Sequence, residues 1–189
     1  DLTAQQMVHR FWCGIIGGAY VTHGDYFNTV DEDTWTSFGG KISGHSEPRI
    51  AFLRKILEAG PKSGLDPIDK WNEPNIAGQA GQYYLIYFGN EAPTNWVFQL
   101  YKRGVVNGMR FKVDVIDTWN MTITPVPGEF VTRKRDNYQF ADASGRSVPL
   151  PGKPYIALRI ENVGGTADKA DPNTFIDPNL PLNEKASQP

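Results

Sequence analysis

The sequence predicts an α/β segment followed by an all-β domain: the last βα unit or units of a TIM-type (β/α)8 barrel, then an antiparallel β-sandwich. Within residues 1–60, a helix, a strand, a long loop and a second helix follow one another, which is typical of an α/β domain. The Pro- and Gly-rich stretch 61–82 has no helical period and predicts a linker. Short strand-like runs separated by turn residues then predict the sandwich at 83–163, and 164–189 is predicted to be an extended tail.

The first predicted element is a helix over residues 3–16. Thr3 and Gln6 have the spacing of a capping box, in which each side chain satisfies a backbone N–H at the start of a helix. Apolar residues then recur at helical spacing and predict one buried stripe: Val8, Phe11, Trp12 and Ile15.

A short strand at 19–22 and a second helix follow. The second helix is predicted to start near Ser46, with Pro48 in its first turn, and to end at Gly60. The strand ends in polar residues and leads into a loop of about twenty residues. That arrangement is typical of a barrel, where functional groups lie at the carboxyl ends of the strands.

The β-sandwich is predicted from period-2 alternation. Phe111, Val113 and Val115 alternate with charged or polar residues, which is the pattern of a half-buried strand. Turn residues separate the predicted strands, which cover 83–89, 95–102, 110–117, 120–126 and 154–162.

The first sixty residues admit two interpretations, because two amphipathic helices and one strand cannot bury their own apolar surfaces. They could pack onto the sandwich as a small α+β layer. Alternatively, they are the last part of a larger barrel whose other strands belong to polypeptide upstream of Asp1. The two interpretations differ in whether Phe11, Trp12 and Ile15 are covered within this chain or exposed.

Composition excludes several functional classes. The 19 basic and 21 acidic side chains give a net charge of −2, so nucleic acid is not an expected partner. No apolar run approaches the roughly 20 residues that cross a bilayer, and no membrane partner is expected. With one cysteine, Cys13, and three histidines, a Cys/His zinc site is not expected, and neither is another metal or cofactor.

Residues 1 to about 160 resemble the C-terminal part of a family of glycoside hydrolases related to apiosidases. The matching segments are MVHRFWCGIIGGAYVTHGDYF, WTSFGGKISGHS, EPRIAFLRKILE, YYLIYFG, KVDVIDTWNMTI and LPGKPYIALRI. The resemblance implies a (β/α)8 barrel with a C-terminal β-sandwich, secretion, and hydrolysis of polysaccharide or oligosaccharide. It also implies that the catalytic carboxylates lie upstream of Asp1, and that the N-terminal portion of the same enzyme, with barrel strands 1–7, is a partner.

Five residues are predicted to contact a sugar substrate. His23 and Asp25 follow the predicted strand and can hydrogen-bond to hydroxyl groups, while Tyr20, Tyr26 and Trp35 are candidate stacking residues. Members of the resembled family often have Glu where this chain has Asp25. Glycoside hydrolysis needs a second carboxylate across the sugar bond, so a binding role for Asp25 is favoured over a catalytic one.

Two further hypotheses remain. Asn120 begins an N-x-[ST] sequence, which is a candidate N-glycosylation site. The alternative to an enzyme segment is a non-catalytic β-sandwich module that binds carbohydrate or has a structural role. Trp71, Trp96 and Trp119 are predicted to pack in the sandwich and at its junction with the first sixty residues.

Overall fold

The structure is a computed structural model that describes residues 2–22, 44–69 and 71–165. In these ranges the chain forms helices α1 (Ala4–Ile16) and α2 (Ser46–Glu58) and eleven strands. The strands are β1 (Asp66–Asp69), β2 (Glu73–Gln79), β3 (Tyr83–Tyr87), β4 (Asn95–Val97), β5 (Gln99–Tyr101), β6 (Arg110–Asp117), β7 (Thr122–Pro125), β8 (Phe130–Lys134), β9 (Gln139–Asp142), β10 (Ser147–Pro149) and β11 (Ile156–Gly164).

The start of α1 confirms the predicted capping box. Thr3 is the N-cap; its hydroxyl accepts a hydrogen bond from the Gln6 backbone N–H at 3.2 Å, and Gln6 Oε1 accepts one from the Thr3 N–H at 3.0 Å. The predicted stripe is also present, because Phe11 and Trp12 are buried and Ile15 is partly buried.

Nine strands form one antiparallel sheet in the order β1-β2-β3-β11-β6-β8-β9-β5, with β7 paired to β6 beside β8. The sheet curls into a half-barrel. Because β1 and β5 come first and last in the strand order, they form its two open edges. A two-stranded ribbon of β10 and β4 lies apart from this sheet.

The central strands are buried on both faces. The concave face packs with the rest of the curled sheet around Phe98, Phe111, Phe130, Ile156 and Leu158. The opposite face packs with the two helices through Trp12, Leu53, Leu85, Tyr87 and Ala157. Because β3 and β11 contribute alternate residues to each side, a single sheet separates the two apolar layers.

The predicted fold class is wrong. Residues 19–22, predicted as a barrel strand, lie outside any helix or strand, and all strand pairings in the described part of the chain are antiparallel. Helices α1 and α2 contact each other, and α1 contacts β2 and β3. The apolar stripe of α1 therefore packs on the antiparallel sheet of this chain, and the described residues form no TIM-barrel α/β unit.

The β region agrees better with the sequence. The prediction for 110–117 matches β6, and the predictions for 83–89 and 154–162 contain most of β3 and β11. The predicted linker 61–82, however, contains β1 and β2, and β8 to β10 were missed. Instead of two facing sheets, one curled sheet folds over its own core.

Candidate functional site

Most of the sugar contacts predicted from the sequence lie outside the described residues. His23, Asp25, Tyr26 and Trp35 belong to this group and remain predictions. Tyr20 is described, and its side chain is fully exposed. It borders a groove of about 330 Å³ that is lined mainly by apolar residues near the ends of the two helices.

Asn120, the candidate glycosylation site, lies in the exposed turn between β6 and β7. Its backbone N–H donates to Asp117 Oδ1 at 2.8 Å, and its side-chain amide donates to Asp117 Oδ2 at 2.8 Å. Asp117 thus holds the turn in place with both carboxylate oxygens. Glycosylation of Asn120 remains a prediction.

A polar cleft of about 310 Å³, here called the edge cleft, lies between the two open sides of the curled sheet. One wall comes from β1, β2 and their connecting turn; the other comes from β5 and the start of β9. Its lining residues are Asp69, Asn72, Glu73, Tyr101, Tyr138 and Gln139. Residues far apart in the chain meet here because the sheet curls.

Asp69 accepts hydrogen bonds within the β1–β2 turn. Its Oδ1 accepts hydrogen bonds from the backbone N–H groups of Trp71 and Asn72, each at 3.2 Å, and its Oδ2 accepts one from the Asn72 side-chain amide at 2.8 Å. The hydrogen bonds from Asn72 lower the pKa of Asp69, because they stabilise the ionised form. Asp69 is therefore a charged residue that fixes the shape of this wall.

The pKa of Glu73, the other carboxyl group in the cleft, is shifted in the opposite direction. Burial raises its pKa first, and the negative charge of Asp69 raises it further, while a hydrogen bond from the Gln139 side chain acts against both. Gln139 Oε1 faces Arg135 Nη1 at 3.5 Å, which leaves the amide NH2 of Gln139 to donate to Glu73. The side chains of Glu73 and Gln139 thus approach each other from the two walls.

Aromatic side chains complete the edge cleft. Tyr101 and Tyr138 line it, and Tyr138 is 62% exposed. Trp71, in the turn that Asp69 holds, is 83% exposed, so its predicted place in the core is wrong. Trp96 and Trp119 do pack against the apolar clusters, as predicted. Exposed aromatic rings beside convergent polar groups are typical of a ligand-binding surface.

A second and larger cleft of about 480 Å³, here called the helix cleft, lies between α1 and the end of β3. His9 and Cys13 line it from α1, and Tyr87, Gly89 and Glu91 line it from β3 and the loop that follows. His9 Nδ1 is 3.1 Å from Tyr87 Oη, and Cys13 Sγ is 3.7 Å from His9 Nε2.

The chemistry of the helix cleft is not that of a nucleophilic site. Burial, followed by the charge of Arg10, lowers the pKa of His9, and burial raises the pKa of the Cys13 thiol. A reactive cysteine needs a lowered pKa, because the thiolate is the nucleophile. Gly89 has φ +60°, and a Cβ there would lie 3.0 Å from the His9 ring, so the backbone also packs closely on the imidazole.

Within the described ranges, no group of three or more His, Cys, Asp or Glu side chains is arranged to hold a metal ion. Neither of the two described helices is long and apolar enough to cross a membrane.

The edge-cleft residues were missed by sequence reasoning. A signal was present in Asp69, Trp71 and Asn72, because an Asp followed by Asn three positions later favours a turn that the Asp side chain caps. A tryptophan inside such a turn is more exposed than one in a strand. Tyr138 likewise directly follows turn residues.

Residues 71–161 match the model of a domain of unknown function, DUF5605. The chain is also similar to a crystal structure from Bacteroides vulgatus ATCC 8482 that is described as a "putative glycoside hydrolase", with 35% sequence identity and a TM-score of 0.77. No curated protein matches the chain.

The similarity to the Bacteroides vulgatus protein covers 86% of this chain and 33% of that protein. This chain therefore spans about a third of the length of its structural neighbour. The predicted resemblance is therefore shown as similarity to one protein described as a "putative glycoside hydrolase", while the relation to the apiosidase family remains a prediction.

Proposed function

We propose that this chain is a carbohydrate-binding part of a glycoside hydrolase and that it holds polysaccharide or oligosaccharide in the edge cleft. The catalytic carboxylates then lie on other polypeptide of the same enzyme, whose N-terminal portion is the proposed partner. The observation that carries the proposal is the meeting of two tyrosine rings, two side-chain amides and a half-buried carboxyl across the open sides of the sheet.

The edge cleft suits sugar chemistry. Sugar rings present apolar C–H faces and a rim of hydroxyl groups, so they need aromatic surface together with hydrogen-bonding groups. Tyr101 and Tyr138 supply the first, while Asn72, Glu73 and Gln139 supply the second. An open cleft between two sheet edges can also accept a chain that extends beyond one sugar unit.

The same geometry argues against hydrolysis in this cleft. Glycosidases need two carboxyl groups, one on each side of the scissile bond, acting as acid and as base or nucleophile. Asp69 and Glu73 come from the same hairpin, where their Cα atoms are paired across β1 and β2. Asp69 also uses both oxygens to hold the turn, which fixes it on the same wall of the cleft as Glu73.

The packing of α1 also favours a binding module. The stripe containing Phe11 and Trp12 is covered by the sheet, as expected if the first sixty residues form a layer of this domain. An unpaired catalytic fragment would instead expose the stripe.

Affinity electrophoresis of the 189-residue chain against a panel of soluble plant and microbial polysaccharides tests the proposal. We expect retardation by at least one polymer, and Tyr138→Ala should weaken binding by about tenfold or more, because a central aromatic contact commonly contributes that much. In the complete enzyme, the same substitution should raise KM for the polymer and leave kcat largely unchanged.

Tyr20→Ala is the matched comparison, because Tyr20 is also an exposed tyrosine but borders a different groove. Loss of binding in Tyr20→Ala but not in Tyr138→Ala would move the site to the sequence-predicted contacts. Binding of no polymer would contradict the proposal. Hydrolysis by the 189-residue chain alone would contradict the placement of the catalytic carboxylates.

A further inference from the structure

Trp71 presents a large aromatic surface next to the edge cleft. It lies in the middle of the β1–β2 connection, residues 70–72, because Asp69 pairs with Glu73 across the hairpin. Its neighbours Asp69, Asn72 and Glu73 all line the cleft, whereas Trp71 itself does not. Because Trp71 is 83% exposed, its ring adds apolar surface outside the cleft, beside one of the two walls.

The backbone at Trp71 is held in place by the protein itself. The Asp69 carboxylate accepts hydrogen bonds from the backbone N–H groups of Trp71 and Asn72, and also from the Asn72 side-chain amide. A surface that is already ordered loses less conformational entropy when a ligand binds, so more of each contact appears as affinity. The support for the Trp71 ring is therefore formed before any ligand arrives.

The surroundings of Trp71 favour a sugar over a protein surface as its ligand. Protein interfaces have an apolar core. The other described residues at this end of the hairpin are polar: Asp69, Asn72 and Glu73. A sugar ring fits such a mixed surface, because its C–H face can pack on the indole while its hydroxyl groups hydrogen-bond to the polar neighbours.

The size of the edge cleft is compatible with a ligand that continues past its walls. The cleft volume of about 310 Å³ lies at the lower end of the range of about 300–1,000 Å³ found for small-ligand sites. A polysaccharide held there extends beyond the cleft, and Trp71 lies beside the wall formed by β1 and β2. A chain that reaches two linked contacts binds more tightly than a fragment that reaches one, because the second contact forms at high effective concentration.

We infer that Trp71 forms a second sugar subsite outside the edge cleft, so that this chain recognises a run of several linked sugar units. The inference rests on the proposed function, carbohydrate binding in the edge cleft, and adds the length of the ligand and the residue that senses it. Tyr101 and Tyr138 contact the sugar inside the cleft, and Trp71 stacks on a unit farther along the same chain.

The test uses the polysaccharide that binds best in the panel, cut into a size series from the disaccharide to the octasaccharide. NMR titration of the 189-residue chain, which also measures weak binding, should give affinities that rise with length and then level off. Trp71→Ala should bind the disaccharide as the unmodified chain does and the octasaccharide about tenfold more weakly, because only the outer contact is lost. Tyr138→Ala should weaken binding of every member of the series.

Two variants serve as controls. Trp71→Phe keeps an aromatic face and should retain most of the gain with length. Ile123→Ala removes an exposed apolar side chain from β7 and should leave the whole series unchanged. In the unmodified chain, the indole N–H signal of Trp71 should shift with the octasaccharide and not with the disaccharide.

A salt series separates the Trp71 contact from the charges near the cleft. Lys102 Nζ lies 5.0 Å from the centre of the Tyr138 ring, and Arg135 donates to Gln99 Oε1 at 2.7 Å, so both cations are close to the opposite wall. Salt screens their effect on a charged ligand. The affinity ratio between the unmodified chain and Trp71→Ala should stay the same at high salt, because stacking on a C–H face involves no charge.

Several results would overturn the inference and leave the proposed function standing. They are affinities that do not rise with length, an equal loss for short and long ligands in Trp71→Ala, no loss at all, or a loss that disappears at high salt. If Trp71→Ala binds the series normally but lowers the Tm of the complete enzyme, Trp71 belongs to an interface with another part of the enzyme. If no polymer binds, the proposed function fails and the inference fails with it.

Discussion

The two clefts of the molecule differ in how their polar groups are used. In the helix cleft, the larger of the two, His9 faces the Tyr87 hydroxyl, and Tyr87 stacks on the buried Trp12 with ring centres 5.2 Å apart. In the edge cleft, Tyr138 is largely exposed, and Glu73 lies half-buried beside Gln139.

The larger cleft is thus the one whose aromatic and polar groups are already used in packing. The tyrosine of the helix cleft belongs to the layer that joins α1 to the sheet, so changing it should affect stability. The aromatic residues of the edge cleft contribute little to the core, so changing them should affect binding. Substitutions at matched residues test this contrast.

Trp12→Ala should have the largest effect. Trp12 is fully buried between the helices and the sheet, and removing such a side chain commonly costs about 3–5 kcal/mol in the free energy of unfolding. Trp71→Ala is the control at the other cleft, and its cost should stay within about 0.5 kcal/mol because Trp71 is 83% exposed. Urea denaturation followed by circular dichroism measures both.

A small cost for Trp12→Ala, similar to that for Trp71→Ala, would mean that α1 does not pack on the sheet in solution. The assignment of the helix cleft to the core would then be wrong. A large cost for Trp71→Ala would instead assign the β1–β2 turn to the folded core.

Tyr87→Phe and Tyr138→Phe form a closer pair, because each removes a single hydroxyl. Tyr87→Phe should lower the free energy of unfolding by about 1 kcal/mol, since it removes the hydroxyl that faces His9 in a buried position. Tyr138→Phe should leave stability unchanged. Equal effects of the two substitutions on stability would remove the distinction between the clefts.

Local features of the fold could be predicted from the sequence. Thr3 and Gln6 predict the start of α1 because a capping box depends on residues three positions apart, and Phe111 with Val113 predicts β6 because alternation is read within one strand. Pro67 and Pro74 pointed to a linker, yet they lie in β1 and β2. β1 is an edge strand, where the missing N–H of proline is tolerated.

The edge cleft could not be predicted in the same way. Glu73 and Gln139 meet because the order of the strands and the curl of the sheet bring β2 and β9 together, and neither property can be read from local periodicity. The barrel prediction failed for a related reason. An apolar stripe such as Phe11 and Trp12 shows that α1 has a partner surface but does not identify it, and here that surface is the antiparallel sheet.

The smallest expected effect concerns the protonation of His9. Its pKa is lowered from the usual 6.5, mainly by burial, so the unfolded chain binds a proton more readily than the folded one. The resulting stability is fully present above pH 6.5 and is lost as the pH falls below that value. Glu73 contributes with the opposite sign because its pKa is raised. Its contribution to stability is fully present below its ordinary pKa of 4.5 and is lost as the pH rises above that value.

NMR titration of the His9 ring should give a midpoint below 6.5, and the decrease in stability from about pH 7 to pH 5.5 should be smaller in His9→Gln. This range lies above the one in which Asp69 and Asp117 titrate, because their pKa values are lowered from 3.8. A midpoint at or above 6.5 would mean that the helix cleft favours the charged imidazole. Glu91, which lines the same cleft, would be the acidic group to account for it, and the helix cleft would then become a candidate site for a polar ligand.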